Sequence, residues 1–168
     1  MELQRLNDMA RSEAVEEFLK CCGSLNWAMQ MADQRPFHNP DSVLRMSDDI
    51  WWRLDAKDWL EAFSHHPKIG ERRAAQDVSA EAQRWSEEEQ SGTRLAAEET
   101  MLELINANHE YERKFGFIFI VCATGKSTEE MLNLLKVRLK NGVDEELRIA
   151  AEEQRRITNL RLKKLLEQ

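Results

Sequence analysis

Cysteine is scarce in this sequence, and its spacing excludes two roles. The chain of 168 residues has three cysteines, Cys21, Cys22 and Cys122. An odd number with two adjacent members is a poor disulfide framework, which indicates a reducing compartment. Adjacent cysteines also lack the spacing of a metal-binding pair. We therefore interpret all three as small apolar residues without a redox role.

Long hydrophobic runs and an excess of basic charge are also lacking. No apolar run approaches the roughly 20 residues of a membrane span, and the start from Met1 to Gln4 lacks a signal-peptide pattern. There are 31 acidic and 24 basic residues, a formal net charge of −7, whereas a nucleic-acid binder needs a basic face. We expect a cytoplasmic protein that binds neither membranes nor nucleic acids.

Motifs for phosphate and zinc are missing as well. The sequence has no Gly-rich phosphate loop and no His-x-x-x-His pair. A metal-dependent hydrolase therefore stays only as an alternative hypothesis, in which the adjacent His65 and His66 act together with an acidic residue.

What the sequence does contain is helical periodicity with start and stop signals. Val15, Phe18 and Cys22 have helical spacing, and Ser127 with Glu130 forms a capping box ahead of another apolar pattern. The length suits one domain over residues 1–168. The pattern predicts a chain of short helices.

The run from Phe117 to Ala123 is the exception to this pattern. It is β-branched and aromatic throughout, which taken locally indicates a buried strand. One strand cannot form a sheet, so we predict an apolar extended segment that crosses the interior. Its backbone N–H groups need other partners, and a bound polar ligand is one candidate.

Two adjacent histidines end a helical pattern ahead of Pro67 and Gly70. Proline disfavours helix at the preceding residue, His66. A histidine at such a break can face a cleft, and its pKa near neutrality suits proton transfer. The alternative interpretation is a helix cap or a surface residue.

Polar residues on two further helical patterns also have alternative interpretations. Ser86, Glu89 and Gln90 share one helix face, which is either a polar pocket wall or a solvated stripe. Arg161 falls on the inward face of the last helix, where it needs an anionic partner or a route to solvent.

Four of the five tryptophans lie in the N-terminal part of the chain: Trp27, Trp51, Trp52 and Trp59. Core packing is one interpretation. The other is a binding face, which would make the protein a non-catalytic helical interaction module.

Several motifs occur in one order across nearly the whole chain. They are Arg35-Pro36-Phe37, Trp59-Leu60-Glu61-Ala62-Phe63, His66-Pro67-Lys68-Ile69-Gly70, Ser86-x-x-Glu89-Gln90-x-Gly92, Asn108-x-x-Tyr111-x-x-Lys114-Phe115-Gly116-Phe117-x-Phe119, Glu146-Leu147 with Ala150 and Ile157, and Leu160-Arg161-Leu162. This ordered set resembles the 2-oxo-4-hydroxy-4-carboxy-5-ureidoimidazoline (OHCU) decarboxylase family, which completes urate breakdown to S-allantoin.

The resemblance implies a fold and an activity. The expected fold is all-α, a single-domain compact bundle of about eight to ten helices without a sheet. The expected activity is a cofactor-independent decarboxylation of OHCU to S-allantoin and carbon dioxide, with stereospecific protonation of the ring carbon. The resemblance also implies a homodimer and no metal.

It further implies roles for individual residues. His66 matches the catalytic histidine of the family, and Glu89 matches its second catalytic group. The implied substrate-binding residues are Pro67, Ser86, Gln90, Phe119, Ile120, Val121, Cys122, Ala123 and Arg161. His65 and Lys126 receive no role, and the group that delivers the final proton is left open.

Overall fold

The computed structural model describes residues 1–69 and 98–167. Every regular element in these two ranges is an α-helix, which confirms the expected all-α fold for the part that is described. The eight helices are α1 (Leu3–Asp8), α2 (Arg11–Cys21), α3 (Leu25–Asp33), α4 (Pro40–Trp51), α5 (Ala56–Ser64), α6 (Glu98–Phe115), α7 (Thr128–Arg138) and α8 (Val143–Glu167). None of these helices combines the length and the apolar character of a membrane span.

The chain divides into two compact units. The first contains Met1–Ala62 and Gln154–Gln168, and the second contains Phe63–Glu153. Helices α5 and α8 contribute residues to both units. The expectation of one domain over the whole chain remains a prediction.

Tryptophans form the core of the first unit. Trp27, Trp51 and Trp59 are buried. The indole N–H of Trp27 donates to the carbonyl of Ser47 at 3.3 Å, and that of Trp59 donates to the carbonyl of Trp51 at 3.1 Å. Since buried indole groups need such partners, the core-packing interpretation is confirmed for these three. Trp52 is 41% exposed.

In the second unit, aromatic residues join the end of α6 to the segment that follows it. Gly116 ends the helix with φ of +79°, a left-handed conformation that glycine adopts without strain. The ring of Tyr111 lies 4.6 Å from that of Phe115 and 5.3 Å from that of Phe119, centroid to centroid. These contacts hold residues 117–123 inside the unit.

Residues 117–123 contain neither helix nor strand. Five of them, Phe117, Phe119, Ile120, Cys122 and Ala123, are nevertheless buried. The predicted apolar segment without a sheet is therefore present in the interior of the second unit.

Helix α7 begins at the predicted capping box. The hydroxyl of Ser127 accepts from the backbone N–H of Glu130 at 3.1 Å. The Glu130 carboxylate accepts in return from the N–H of Ser127 at 2.7 Å. Two N–H groups at the helix start are satisfied in this way, which fixes where the buried segment ends.

Candidate active site

His66 lies just beyond α5, which ends at Ser64. Its backbone N–H donates to the carbonyl of Phe63 at 3.1 Å, so the chain turns here before Pro67. His66 is half-buried and His65 is exposed. The predicted position at a helix break is confirmed, and a partly accessible imidazole is able to meet a solute.

Two contacts tie this turn to the rest of the second unit. The ring of Phe63 lies 5.5 Å from that of Phe117, centroid to centroid. The ammonium group of Lys68 lies 2.7 Å from the carboxylate of Glu112 on α6. The turn that carries His66 is thus anchored on both sides of the histidine, and one anchor is the start of the buried segment.

Charged side chains hold the backbone of the buried segment at alternate residues. The carbonyl of Ile120 accepts from Nη1 of Arg138 at 2.6 Å. The N–H of Cys122 donates to the carboxylate of Glu153 at 2.7 Å, and the Cys122 carbonyl accepts from Nζ of Lys126 at 2.8 Å. Hydrogen bonds with one charged partner are among the strongest in proteins, so this backbone is firmly held.

Other backbone donors of the same segment are left available. Within residues 1–69 and 98–167, the N–H groups of Ile120, Val121 and Ala123 donate to no protein acceptor. Buried backbone N–H groups almost always have a partner. A polar ligand as the partner of these three donors remains a prediction.

Arg138 is itself fixed by a buried network. Its Nε donates to Oε1 of Glu146 at 2.6 Å, and the hydroxyl of Tyr111 donates to the same oxygen. Asn141 donates to the other carboxylate oxygen at 2.9 Å. Arg138 is 7% exposed and Glu146 is fully buried. A buried ion pair needs such additional hydrogen bonds to offset the loss of hydration.

Tyr111 remains a hydrogen-bond donor in this network. Burial raises the pKa of its hydroxyl above the ordinary value, and the bond to Glu146 raises it further, while the charge of Arg138 acts in the opposite direction. The phenol is therefore protonated at neutral pH, and it donates this proton in its hydrogen bond to the Glu146 carboxylate.

Arg161 belongs to the first unit, on the buried face of α8 that the sequence predicted. It is 6% exposed. The helix is held to α4 by Asp48, whose carboxylate lies 2.9 Å from Nη1 of Arg155 and accepts from Asn159 at 3.0 Å. A guanidinium group in such a position is able to hold an anion through its planar fork.

The charge of Arg161 also acts on Cys22. Burial raises the pKa of that thiol to about 11, although hydrogen bonds with Ser24 and Thr158 and the charge of Arg161 lower it. All three cysteines are buried and none forms a disulfide, as expected for small apolar residues, and a neutral thiol is a poor nucleophile.

The predicted site residues fall into three groups. His66, Pro67 and residues 119–123 lie in the second unit, and Arg161 lies in the first. Ser86, Glu89 and Gln90 lie outside the described residues, so their roles remain predictions. In residues 1–69 and 98–167, no group of three or more His, Cys, Asp and Glu side chains could hold a metal ion.

The sequence analysis did not identify Arg138, Glu146 or Glu153 as important for the site. One signal was present: Arg138 lies seven residues after Met131 on the apolar stripe of α7, and both are buried. An arginine at a buried helix position needs an acidic or carbonyl partner.

Comparison with known proteins identifies the family to which the chain belongs. The family model for OHCU decarboxylase matches residues 7–163. The chain belongs to the OHCU decarboxylase family. A crystal structure of an OHCU decarboxylase in the presence of (S)-allantoin has a TM-score of 0.79 and 38% identity to this chain, and the match covers 91% of this chain and 99% of that one.

Two relatives show the range of the OHCU decarboxylase family. The uric acid degradation bifunctional protein TTL of Arabidopsis thaliana is 40% identical over 158 residues, which are 94% of this chain and 48% of that protein. The 2-oxo-4-hydroxy-4-carboxy-5-ureidoimidazoline decarboxylase of Amia calva is 26% identical over 170 residues, 99% of this chain and 95% of that protein. The chain thus spans about half the length of the Arabidopsis relative.

Proposed function

We propose that this chain catalyses the cofactor-independent decarboxylation of OHCU to S-allantoin and carbon dioxide in urate degradation. Membership of the OHCU decarboxylase family supports the proposal. The structural observation that carries it is the buried segment of residues 119–123. Charged side chains hold this segment, and three of its N–H groups have no acceptor within residues 1–69 and 98–167. The segment also lies in the same unit as His66.

The substrate explains why no cofactor is needed. OHCU carries a hydroxyl and a carboxylate on one ring carbon, next to a C=N bond. That bond takes the electrons released with carbon dioxide, so no pyridoxal or thiamine electron sink is required. Loss of carbon dioxide leaves an enol-like intermediate, and a proton must then reach one face of the neighbouring ring carbon, the carbon of the former C=N bond.

We assign the proton chemistry to His66, with Glu89 as its polar partner or proton relay. Histidine is the side-chain type best suited to both giving and accepting a proton near neutral pH, and His66 is half-buried. Arg161 is assigned to the anionic groups of the substrate, because a guanidinium binds a carboxylate through two parallel hydrogen bonds.

The oxygen atoms of the ring and the ureido group need donors. We assign this role to Ser86, Gln90 and the backbone of residues 120–123, with Pro67 and Phe119 as further contacts. Fixed donors stabilise a transition state most where negative charge develops. The free N–H groups of Ile120, Val121 and Ala123 support this assignment.

The alternative of a non-catalytic interaction module depends on an exposed aromatic face. Trp27, Trp51 and Trp59 are buried, so three of the four tryptophans that would form this face are part of the core. The decarboxylase proposal is therefore the better supported of the two.

We also infer a homodimer, as the family resemblance implies, and a cytoplasmic location, as the cysteine usage indicates. Sedimentation equilibrium of the purified chain should give twice the mass of one chain. A single species with the mass of the monomer over the whole concentration range would contradict the dimer.

The proposed activity is tested with freshly prepared OHCU, which decays by itself. We expect the protein to produce S-allantoin, measured by circular dichroism, faster than the reaction without protein. Racemic product formed at the spontaneous rate would contradict the proposed function.

A further inference from the structure

We propose that Arg138 and Lys126 are positioning residues that aim the backbone N–H groups of Val121 and Ala123 at the substrate. The inference rests on the proposed function and extends it to two side chains that act through the backbone.

Each side chain holds the carbonyl of a peptide group whose N–H is free. The carbonyl of Ile120, bound by Arg138 at 2.6 Å, shares a peptide group with the N–H of Val121. The carbonyl of Cys122, bound by Lys126 at 2.8 Å, shares one with the N–H of Ala123. Neither N–H has a protein acceptor in residues 1–69 and 98–167.

Because peptide groups are planar, the hydrogen bonds to the two carbonyls also set the direction of the two N–H groups. Among the described residues, the peptide bond between Arg35 and Pro36 is the cis one. The peptide groups that join Ile120 to Val121 and Cys122 to Ala123 are therefore trans. In a planar trans peptide the C=O and N–H bonds point in opposite directions. A cation fixed on the carbonyl therefore fixes the direction of the N–H on the other side.

Regular secondary structure does not set the direction of these peptide groups. Residues 117–123 have no regular secondary structure, so no ladder of backbone hydrogen bonds sets the peptide planes. Glu153 adds a third restraint by accepting from the N–H of Cys122 at 2.7 Å. The direction of the free donors is thus set by side chains.

Arginine suits the first position because it makes several bonds at once. Nη1 binds the Ile120 carbonyl, while Nε and Nη2 each lie 2.6 Å from Oε1 of Glu146. Its guanidinium carbon also lies 4.6 Å from the centroid of the Phe119 ring. A lysine in this place keeps the charge but lacks the planar fork, so it cannot hold both partners in the same geometry.

The test uses two variants with matched controls. Arg138→Lys is paired with Arg148→Lys, at an exposed residue of α8, and Lys126→Met is paired with Lys136→Met, at an exposed residue of α7. Circular dichroism establishes the fold of each. The measurements are kcat and KM with fresh OHCU, and amide ¹⁵N–¹H spectra of the labelled protein titrated with (S)-allantoin.

We expect a selective pattern. Arg138→Lys should abolish the (S)-allantoin response of the Val121 amide and Lys126→Met that of the Ala123 amide, while the controls keep both. Each variant should lose about tenfold or more in kcat/KM, since a misdirected donor loses much of its effect on developing charge. A merely structural role would not separate the two amides.

Folded variants with both amide responses and normal kcat/KM would overturn the inference and leave the proposed function intact. A wild-type chain without OHCU turnover would remove the proposed function and this inference together. If Arg138→Lys does not fold, the test depends on Lys126→Met, at a half-buried residue. A normal response of the Ala123 amide to (S)-allantoin, together with normal kcat/KM in this variant, would overturn the inference.

Discussion

His66 occupies a turn that is held in part through its backbone. The hydrogen bond at this turn joins the N–H of His66 to the carbonyl of Phe63, and Pro67 restricts the backbone from the other side. A substitution of His66 keeps both of these backbone restraints, so the role of the imidazole can be tested by substitution.

We expect His66→Asn to fold normally and to lose about a hundredfold or more in turnover of OHCU, the usual effect of removing a positioned acid or base. Asparagine keeps polarity at this position but cannot transfer a proton near neutral pH. The measurement is kcat by circular dichroism of S-allantoin. His65→Asn, at the exposed neighbour, should be nearly normal, and stereospecific turnover at the normal rate in His66→Asn would remove His66 from its role.

Cys22 gives a prediction for the pH dependence of stability. Burial raises the pKa of its thiol from 9.0 to about 11. The unfolded chain therefore releases this proton at a lower pH than the folded chain does. The stability from this group is fully present below pH 9 and is lost as the pH rises toward 11.

We expect the free energy of unfolding of the wild type to fall more steeply between pH 9 and 11 than that of Cys22→Ala. The difference should be on the order of 2 kcal/mol, from the size of the shift. Urea denaturation followed by tryptophan fluorescence measures both proteins at the same pH values. Parallel pH profiles would show that the buried thiol does not ionise differently in the two states.

The sequence was informative about residues when the signal was local. The stripe of α8 placed Arg161 on a buried face because its spacing follows the helix period. The role of Arg138 depends on the carbonyl of Ile120, eighteen residues away in the chain. No periodic pattern joins a helical side chain to a carbonyl of an irregular segment, so this contact was not predictable.

At the scale of elements, the caps and the irregular segment followed from the sequence, whereas two details did not. The spacing of Leu102 and Ile105 indicates a shared apolar helix face, but Leu102 is 55% exposed, while Leu104 is fully buried. The face is set by the aromatic end of α6, where Tyr111 and Phe115 pack. Aspartate is a typical N-cap residue, but α8 begins at Val143. Asp144 therefore lies in the first turn, where its negative charge interacts favourably with the helix dipole.

The capping box of α7 predicts a measurable loss of stability. Ser127→Ala removes the hydroxyl that accepts from the N–H of Glu130, and such a change costs about 1 kcal/mol. Urea denaturation measures it. Ser12→Ala, at an exposed position inside α2, is the matched control and should change stability little. Equal effects of the two substitutions would mean that the cap does not stabilise the helix.

The whole molecule is acidic, with a net charge of −7, although its assigned substrate is an anion. Local groups therefore have to attract the substrate against the net charge. Arg161 is the buried cation assigned to this task, and its 6% exposure protects it from screening by salt. Net charge predicted the absence of nucleic-acid binding, but it contains no information on such a single cation.

Metal dependence distinguishes the proposed decarboxylase from the alternative hypothesis, a metal-dependent hydrolase that uses His65 and His66. We expect protein treated with a chelator to keep its full rate of S-allantoin formation, because the C=N bond of the substrate accepts the electrons released with carbon dioxide. The measurement is kcat before and after dialysis against the chelator, together with metal analysis of the same samples. His65→Asn separates the hypotheses further, since a hydrolase that uses both histidines as ligands would lose its metal and its activity. Activity that disappears in chelator and returns with zinc would contradict the cofactor-independent mechanism, because proton transfer by His66 does not require a metal ion.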